Sequence, residues 1–431
     1  RMIEREVAIN RVHAPGLYLG VRAVVRDASG ALRLDETRVD GTPVEALLEM
    51  RRFPQACLLS AMVTRDAMTE ADAAELARVV FDGHQRLPRH DVEDAGLRMA
   101  RIVDGVASGL GQVARLLGPL DPAELGTLAR RQLARSSACL TMRGTSGFVR
   151  RCHGDLHLNN IVMLDGQPTL FDALEFDEEL ATIDTLYDLA FLLMDLDHRG
   201  ARPLASVVLN RYMARSRSRL DVEGLIALPL FLGVRSAIRA MTSAQKAELE
   251  GGDPNSRQAV DARSYLSHAL RYLGPAVPRL IAVGGLSGTG KSTLAAALAP
   301  LIEPAPGALH VRTDVERKKL FGVAETERLA PATYTAEASR RVYGAAFGTA
   351  EAALDAGHSV VIDAVFLAAE ERAAIEAIAA SRGVPFTGLW LTAARDVLIG
   401  RVAARTADAS DATAEVVEAQ LARPADGAGW V

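Results

Sequence analysis

At 431 residues with a formal net charge of −5, the chain exceeds what one hydrophobic core normally supports, so two domains are expected. Its 49% hydrophobic and 24% charged residues are ordinary for a globular protein, and apolar runs such as LIALPLFLGV at 225–234 are too short to span a bilayer. The acidic balance argues against a broad electrostatic grip on nucleic acid, while leaving a local basic groove open.

Three scattered cysteines, Cys57, Cys139 and Cys152, fit neither a disulfide framework nor a paired zinc site. With no secretory pattern at the start, they point to a reducing, cytoplasmic setting. Lysine occurs only at Lys246, Lys291, Lys318 and Lys319, so every earlier positive side chain other than histidine is an arginine. The number of subunits is not encoded in any pattern we find.

In chain order, a leading helix precedes LYLGVRAVV (17–25), a β-branched and partly alternating strand followed by the turn DASG. VEALLEMRRFP (44–54) reads as a second strand closed by Pro54. From 69 to 138 the apolar residues recur at helical spacing. Residues 148–172 switch to short apolar bursts, with DGQ (165–167) a hairpin turn between NIVML and PTLFD.

Within those bursts, HGDLHLNN (153–160) fits H-x-D-x-x-x-x-N through His153, Asp155 and Asn160. A carboxylate at Asp155 can orient or deprotonate an acceptor hydroxyl, while the amide oxygen of Asn160 ligates Mg²⁺. Twelve residues on, Asp172 in LFDALEF ends a strand, where a main metal carboxylate is needed. This stretch resembles the aminoglycoside phosphotransferase family, a branch of the protein-kinase-like α+β fold. The resemblance implies that Asp184 and Asp188 in DTLYDLAFLL are structural, one capping a helix and one bracing the catalytic loop. It extends over 1–273, with a helical lobe from about 183. The chain departs from the family in one respect: no lysine precedes residue 246 to hold the α- and β-phosphates, so Glu4 or Glu6, the candidate helix glutamates, lack a partner. Two readings stay open, a chain beginning after its first strands or a lobe that does not hold ATP in the usual way.

LGPAVP (273–278) breaks the helical pattern and sets a boundary, with the second domain spanning 279–431. RLIAVGGLSGTGKSTLAAALA then reads as strand, glycine loop and helix. Gly285, Gly290, Lys291 and Ser292 satisfy G-x-x-x-x-G-K-[ST]. The cradle Gly285, Ser287, Gly288, Thr289, Gly290, Lys291, Ser292 and Thr293 turns backbone N–H groups toward a triphosphate; Lys291 adds a mobile charge, and the Ser292 hydroxyl can ligate Mg²⁺. Strands and helices alternate to the end, implying a mostly parallel α/β sheet.

Three further elements complete this second reading. Asp363, ending the apolar strand SVVIDAV, is read as a Mg²⁺ carboxylate or as the cap of the next helix. Asp314 in VRTDVERKK follows a strand that should end near the glycine loop, where it would accept a proton from an incoming hydroxyl; its alternative is a helix N-cap. Arg317, one turn on, is placed to hold the acceptor or its phosphate. Arg401 and Arg405 lie four apart on an expected helix face ahead of a lid, ADASDATAEVV. Here the chain resembles P-loop small-molecule and polynucleotide kinases of the AAA, zeta-toxin and chloramphenicol-phosphotransferase type. The other histidines, among them His84, His310 and His358, show no ligand spacing and are read as structural.

Together these readings imply an ATP·Mg²⁺-dependent phosphotransferase acting on a small hydroxyl-bearing substrate, with no membrane partner. A 5′-hydroxyl polynucleotide kinase gripping its substrate with VERKK, and an ATP-gated regulatory protein with a degenerate first domain, are the alternatives.

Overall fold

The computed structural model describes residues 2–34, 42–405, 408–423 and 429–431. Helix α1 (Met2–His13) packs on a three-stranded antiparallel sheet of β1 (Tyr18–Arg26), β2 (Leu32–Leu34) and β3 (Thr42–Met50), ordered β2-β1-β3. β1 and β3 match the two expected strands. β2 has no counterpart in the sequence reading, because three residues carry no periodicity.

A helical lobe follows, opening with α2 (Leu59–Thr64), α3 (Glu70–Arg86), α4 (Ala95–Gln112) and α5 (Pro122–Thr145). α3 starts at a capping box between Thr69 and Asp72, and α5 at an Asp121 N-cap followed by Pro122. Next come β4 (Val149–Arg151), the hairpin β5 (Ile161–Leu164) and β6 (Gln167–Leu170), α6 (Glu178–Ala181) and β7 (Thr182–Asp184), which pairs with β4. The hairpin turns on Asp165 and Gly166 at φ 51° and 78°, the left-handed pair that a two-residue type I′ connection requires.

The lobe ends with α7 (Thr185–His198), α8 (Arg202–Arg215), α9 (Arg219–Glu223), α10 (Leu228–Leu249) and α11 (Arg257–Leu273). Every residue of α7 from Thr185 to Asp197 is buried, which makes it the lobe's central helix. The helical run Arg219–Leu249 is long and apolar enough to cross a membrane by length and composition, contrary to the sequence reading. Most of it is buried in the protein, against α7 and α11.

The second half alternates β8 (Leu280–Gly285), α12 (Lys291–Leu298), β9 (Leu309–Arg312), α13 (Thr313–Phe321), α14 (Ala336–Asp355), β10 (Val360–Asp363), α15 (Ala369–Arg382), β11 (Phe386–Leu391), α16 (Arg395–Ala403) and α17 (Ala414–Leu421). Its four strands are parallel, in the order β11-β8-β10-β9. The chain thus joins a kinase-like α+β lobe to a parallel α/β domain. α8 packs beside β9, and a cleft of about 1150 Å³ runs between the two halves, reaching from α3, α8 and α9 to α12, α13 and α14.

His358, just ahead of β10, is 1% exposed and bonds the Gly307 carbonyl (3.0 Å). Burial holds its pKa down at about 4, against an ordinary 6.5. A folded-state pKa below the unfolded one means that the unfolded chain takes up a proton first as pH falls. The contribution of this group to stability is therefore intact above pH 6.5 and is lost progressively as pH falls from 6.5 toward 4. The urea midpoint of the α/β domain should drop across that window, and His358→Asn should flatten the drop by about one proton's worth.

Candidate functional sites

The loop between β8 and α12 reverses the chain on residues that only glycine accommodates. Gly285 sits at φ 135°, where an added Cβ would lie 2.4 Å from the Leu391 carbonyl oxygen; at Gly288, φ 92°, it would lie 2.7 Å from that of Leu398. Gly290, also left-handed, is the N-cap of α12. The first-turn N–H groups of α12, on Lys291, Ser292 and Thr293, have no carbonyl partner within the helix and are available to an anion. Thr289 Oγ1 donates to the Leu286 carbonyl (2.8 Å) and closes the loop from inside. Lys291 Nζ crosses to the same carbonyl (2.9 Å). Burial lowers the pKa of this ammonium, against the pull of Asp363 and Asp314.

Asp363 ends β10 directly opposite Arg312 in the parallel register. Its carboxylate accepts from Ser292 Oγ (3.1 Å) and from His310 Nε2 (2.5 Å), and it caps no helix, since α15 begins only at Ala369. Burial would raise its pKa; the His310 hydrogen bond and the charges of Arg312 and Lys291 hold it below the ordinary carboxylate value. Ser292 Oγ and an ionised Asp363 are hard oxygen donors side by side, the pair that suits Mg²⁺.

Asp314 lies in the first turn of α13, two residues past its N-cap Arg312, so the N-cap reading is corrected. It is half-buried, forms no hydrogen bond or ion pair with a described residue, and acts electrostatically on Lys291. Arg317 points elsewhere. Its guanidinium donates to the Thr333 carbonyl (2.8 Å) and Ser339 Oγ (3.3 Å) and lies 4.7 Å over the Tyr334 ring, so it braces the 331–339 segment. Arg401 Nη1 donates to the Gly288 carbonyl (3.2 Å) and supports the loop from behind. Arg405 falls beyond α16, which stops at Ala403, so the two arginines do not share a helix face; its charge still reaches Lys291. Of the expected lid, residue 407 lies outside the described residues. Its Asp408 pairs with Arg312 (2.9 Å) and its Asp411 with Lys318 (2.5 Å). Ser287 is held by a residue absent from the sequence reading: Gln420 of α17 accepts from its N–H (2.8 Å) and donates to its hydroxyl (3.2 Å).

The kinase-like lobe presents a second constellation. Asn160 Nδ2 donates to both the carbonyl and Oδ2 of Asp155 (3.0 Å each), leaving Asn160 Oδ1 without a hydrogen bond among the described residues. Asp155 is buried enough to raise its pKa, but His157, 3.4 Å away, holds it low. The loop is braced from below. Asp188 accepts from Gly154 N (2.8 Å), His153 N (3.3 Å) and His84 Nε2 (3.1 Å), and Asp195 accepts from Leu158 N (3.0 Å). Asp184 N-caps α7 and binds the fully buried Arg143 through both oxygens (2.7 and 2.8 Å). His84, Cys152 and Asp188 lie close enough to hold a metal, yet His84 and Asp188 already satisfy each other.

Asp172, exposed and at φ 62°, gives its N–H to Tyr18 Oη (2.9 Å), and Asn10 Oδ1 takes the next N–H, on Ala173 (2.7 Å). On α1, Glu6 has its pKa raised by burial and then by Glu175 and Asp172. Glu6, Glu175 and Asp172 therefore act on one another electrostatically. Asn160 and Asp172 offer the oxygen donors that a hard metal ion takes.

Two phosphate-handling architectures thus share one chain, a kinase-like lobe and a P-loop domain. Residues 44–221 match the model of the phosphotransferase enzyme family, and residues 280–425 match that of an AAA domain. Proteins of Mycobacterium tuberculosis and Mycobacterium bovis described as uncharacterised are 31% identical over 433 residues, covering 98% of this chain and 82% of theirs. The chain belongs to the family of these mycobacterial proteins, and in it a phosphotransferase domain is fused to an AAA domain. Among solved structures, a Plasmodium vivax ethanolamine kinase is 11% identical, covering 62% of this chain and 71% of its own, with a TM-score of 0.36. A glucosamine kinase is 17% identical, covering 62% and 68%, with a TM-score of 0.33.

Replacing Lys291 by alanine removes the ammonium of the loop. Calorimetry should show nucleotide affinity falling by roughly 100-fold or more, with the circular dichroism spectrum unchanged.

Proposed function

We propose that this protein is an ATP-dependent phosphotransferase that moves the γ-phosphate of ATP·Mg²⁺ to a hydroxyl of a small molecule, mainly through its P-loop domain. The observation that carries this reading is Asp314, a half-buried aspartate with no hydrogen-bonding partner among the described residues, set in the field of Lys291 at the carboxyl edge of the sheet. An aspartate whose only task was to cap a helix would have its carboxylate occupied by backbone N–H groups.

In this reading the loop amides and Lys291 hold the triphosphate, and Ser292 with Asp363 holds Mg²⁺. The metal neutralises charge on the phosphate oxygens when bound. Asp314 takes the proton of the acceptor hydroxyl as the acceptor oxygen bonds to the γ-phosphorus; the bond from that phosphorus to the bridging oxygen breaks, and ADP leaves. Arg405, free of the helix and close enough to influence Lys291, is the cation nearest in character to a lid arginine. A cytoplasmic setting goes with this chemistry, and Cys57, Cys139 and Cys152 are all unpaired thiols.

A small acceptor is favoured over a polynucleotide by the state of the VERKK lysines. Lys318 is 2% exposed and paired with Asp411, and Lys319 is 3.1 Å from Glu316, so neither offers charge to a phosphate backbone.

An acceptor screen with γ-labelled ATP, run on wild type, Asp314→Asn and Asp155→Asn, separates the domains. Asp314→Asn should lower turnover by about 10²–10⁴-fold with ATP affinity retained, and Asp155→Asn should leave it near wild type. Loss of transfer in Asp155→Asn alone would move the chemistry to the kinase-like lobe.

A further inference from the structure

The P-loop centre is not built by its own domain alone. β9 is an edge strand: β10 pairs with it on one side, and no described strand pairs with it on the other. That open edge is closed by one side chain from the kinase-like lobe. Asn210 on α8 accepts from His310 N–H through Oδ1 (2.7 Å) and donates through Nδ2 to the Ala308 carbonyl (3.2 Å). Its carboxamide thereby makes the donor–acceptor pair that a neighbouring strand's peptide would supply.

The residue whose backbone is clamped is the one whose side chain reaches the metal position. His310 Nε2–H donates to Asp363 Oδ2 (2.5 Å), and Asp363 Oδ1 accepts from Ser292 Oγ (3.1 Å). A continuous run of hydrogen bonds therefore leads from α8 through the edge of β9 to Asp363 and the first turn of α12. A second, ionic route starts one residue on. Arg211 pairs with Glu325 (2.8 Å), Glu325 with Arg312 (3.5 Å), and Arg312 Nε stands 3.9 Å from Asp363 Oδ2.

We propose that the kinase-like lobe sets the Mg²⁺–nucleotide affinity of the P-loop centre, with Asn210 and His310 as positioning residues for the Asp363 carboxylate. This rests on the reading above in which Ser292 and Asp363 hold Mg²⁺. A carboxylate that ligates a metal is useful only if its free oxygen points at the ion, and a histidine bonded to the other oxygen fixes that direction. His310 can do so only while its backbone stays put. It lies in a four-residue edge strand, where an uncapped peptide is free to shift or to bond water instead.

The experiment uses the full chain and a non-hydrolysable ATP analogue, titrated calorimetrically with Mg²⁺ and again in EDTA. His310→Ala should weaken binding about 10–100-fold with Mg²⁺ and leave it unchanged in EDTA. His310→Gln, which restores an N–H donor at the same reach, should recover most of the loss. Asn210→Ala should weaken the Mg²⁺-dependent binding roughly 3–10-fold, and Asn210→Ala/His310→Ala should be no weaker than His310→Ala alone. Arg202→Ala, which cuts another inter-lobe pair on the same helix, to Glu303, should bind as wild type. The proposal is overturned if Asn210→Ala or His310→Ala binds as wild type with Mg²⁺, if their effects add, or if Arg202→Ala is as damaging as Asn210→Ala. Lys291→Ala separates this failure from that of the parent reading: if it keeps nucleotide affinity, the P-loop assignment falls and this proposal with it. If it loses affinity while the other variants do not, this proposal falls alone.

Discussion

The reversal of the chain between Gly285 and Lys291 is the constraint on which the second domain is built. The Leu391 and Leu398 carbonyls press so closely on Gly285 and Gly288 that no side chain fits there. Those carbonyls belong to the end of β11 and to α16, so the strand and helix that follow β8 in space are positioned by the loop as much as they support it. Gln420 and Arg401 then hold the loop from outside. With β8 central in the sheet, its neighbour β10 delivers Asp363 beside Ser292, and the next strand, β9, delivers Asp314. The anion cradle, metal carboxylate and base of the proposed reading are therefore brought together by one strand order and one tight turn.

The kinase-like lobe shows a different balance. Its 153–160 loop is braced by engaged aspartates, the buried Asp188 and Asp195 below and the half-buried Asp184 on Arg143 at the side. A loop held this firmly is a rigid scaffold for Asp155 and Asn160. Around Asp172, by contrast, Glu6 and Glu175 add negative charge. The α8 contacts to β9 give this lobe a structural part in the other centre even without chemistry of its own.

Much of this was legible beforehand, for physical reasons that differ by element. The turn at Asp165–Gly166 and the cradle from Gly285 to Ser292 are local, and their residue types leave few backbone conformations open. The roles of Asp184 and Asp188 followed from family resemblance and match the hydrogen bonds found. What escaped the sequence depends on register across strands. His310 and Arg312 lie on one face of β9, two residues apart, and both reach Asp363 only because β9 and β10 pair with Arg312 opposite Asp363. No spacing within one segment reports that, so His310 read as an ordinary histidine. The surroundings of Arg317 and Arg405 escaped for a related reason: a helix face can be counted from sequence, but the contact of one with Tyr334 and the early end of α16 before the other cannot.

The central claim is that one chain with two phosphate-handling architectures holds nucleotide at one of them. Equilibrium dialysis of the full chain with a non-hydrolysable ATP analogue and saturating Mg²⁺ measures this directly. One analogue bound per chain is the result the account requires. Two per chain, or none, would contradict it, the first by giving the kinase-like lobe a working phosphate site and the second by denying one to the P-loop.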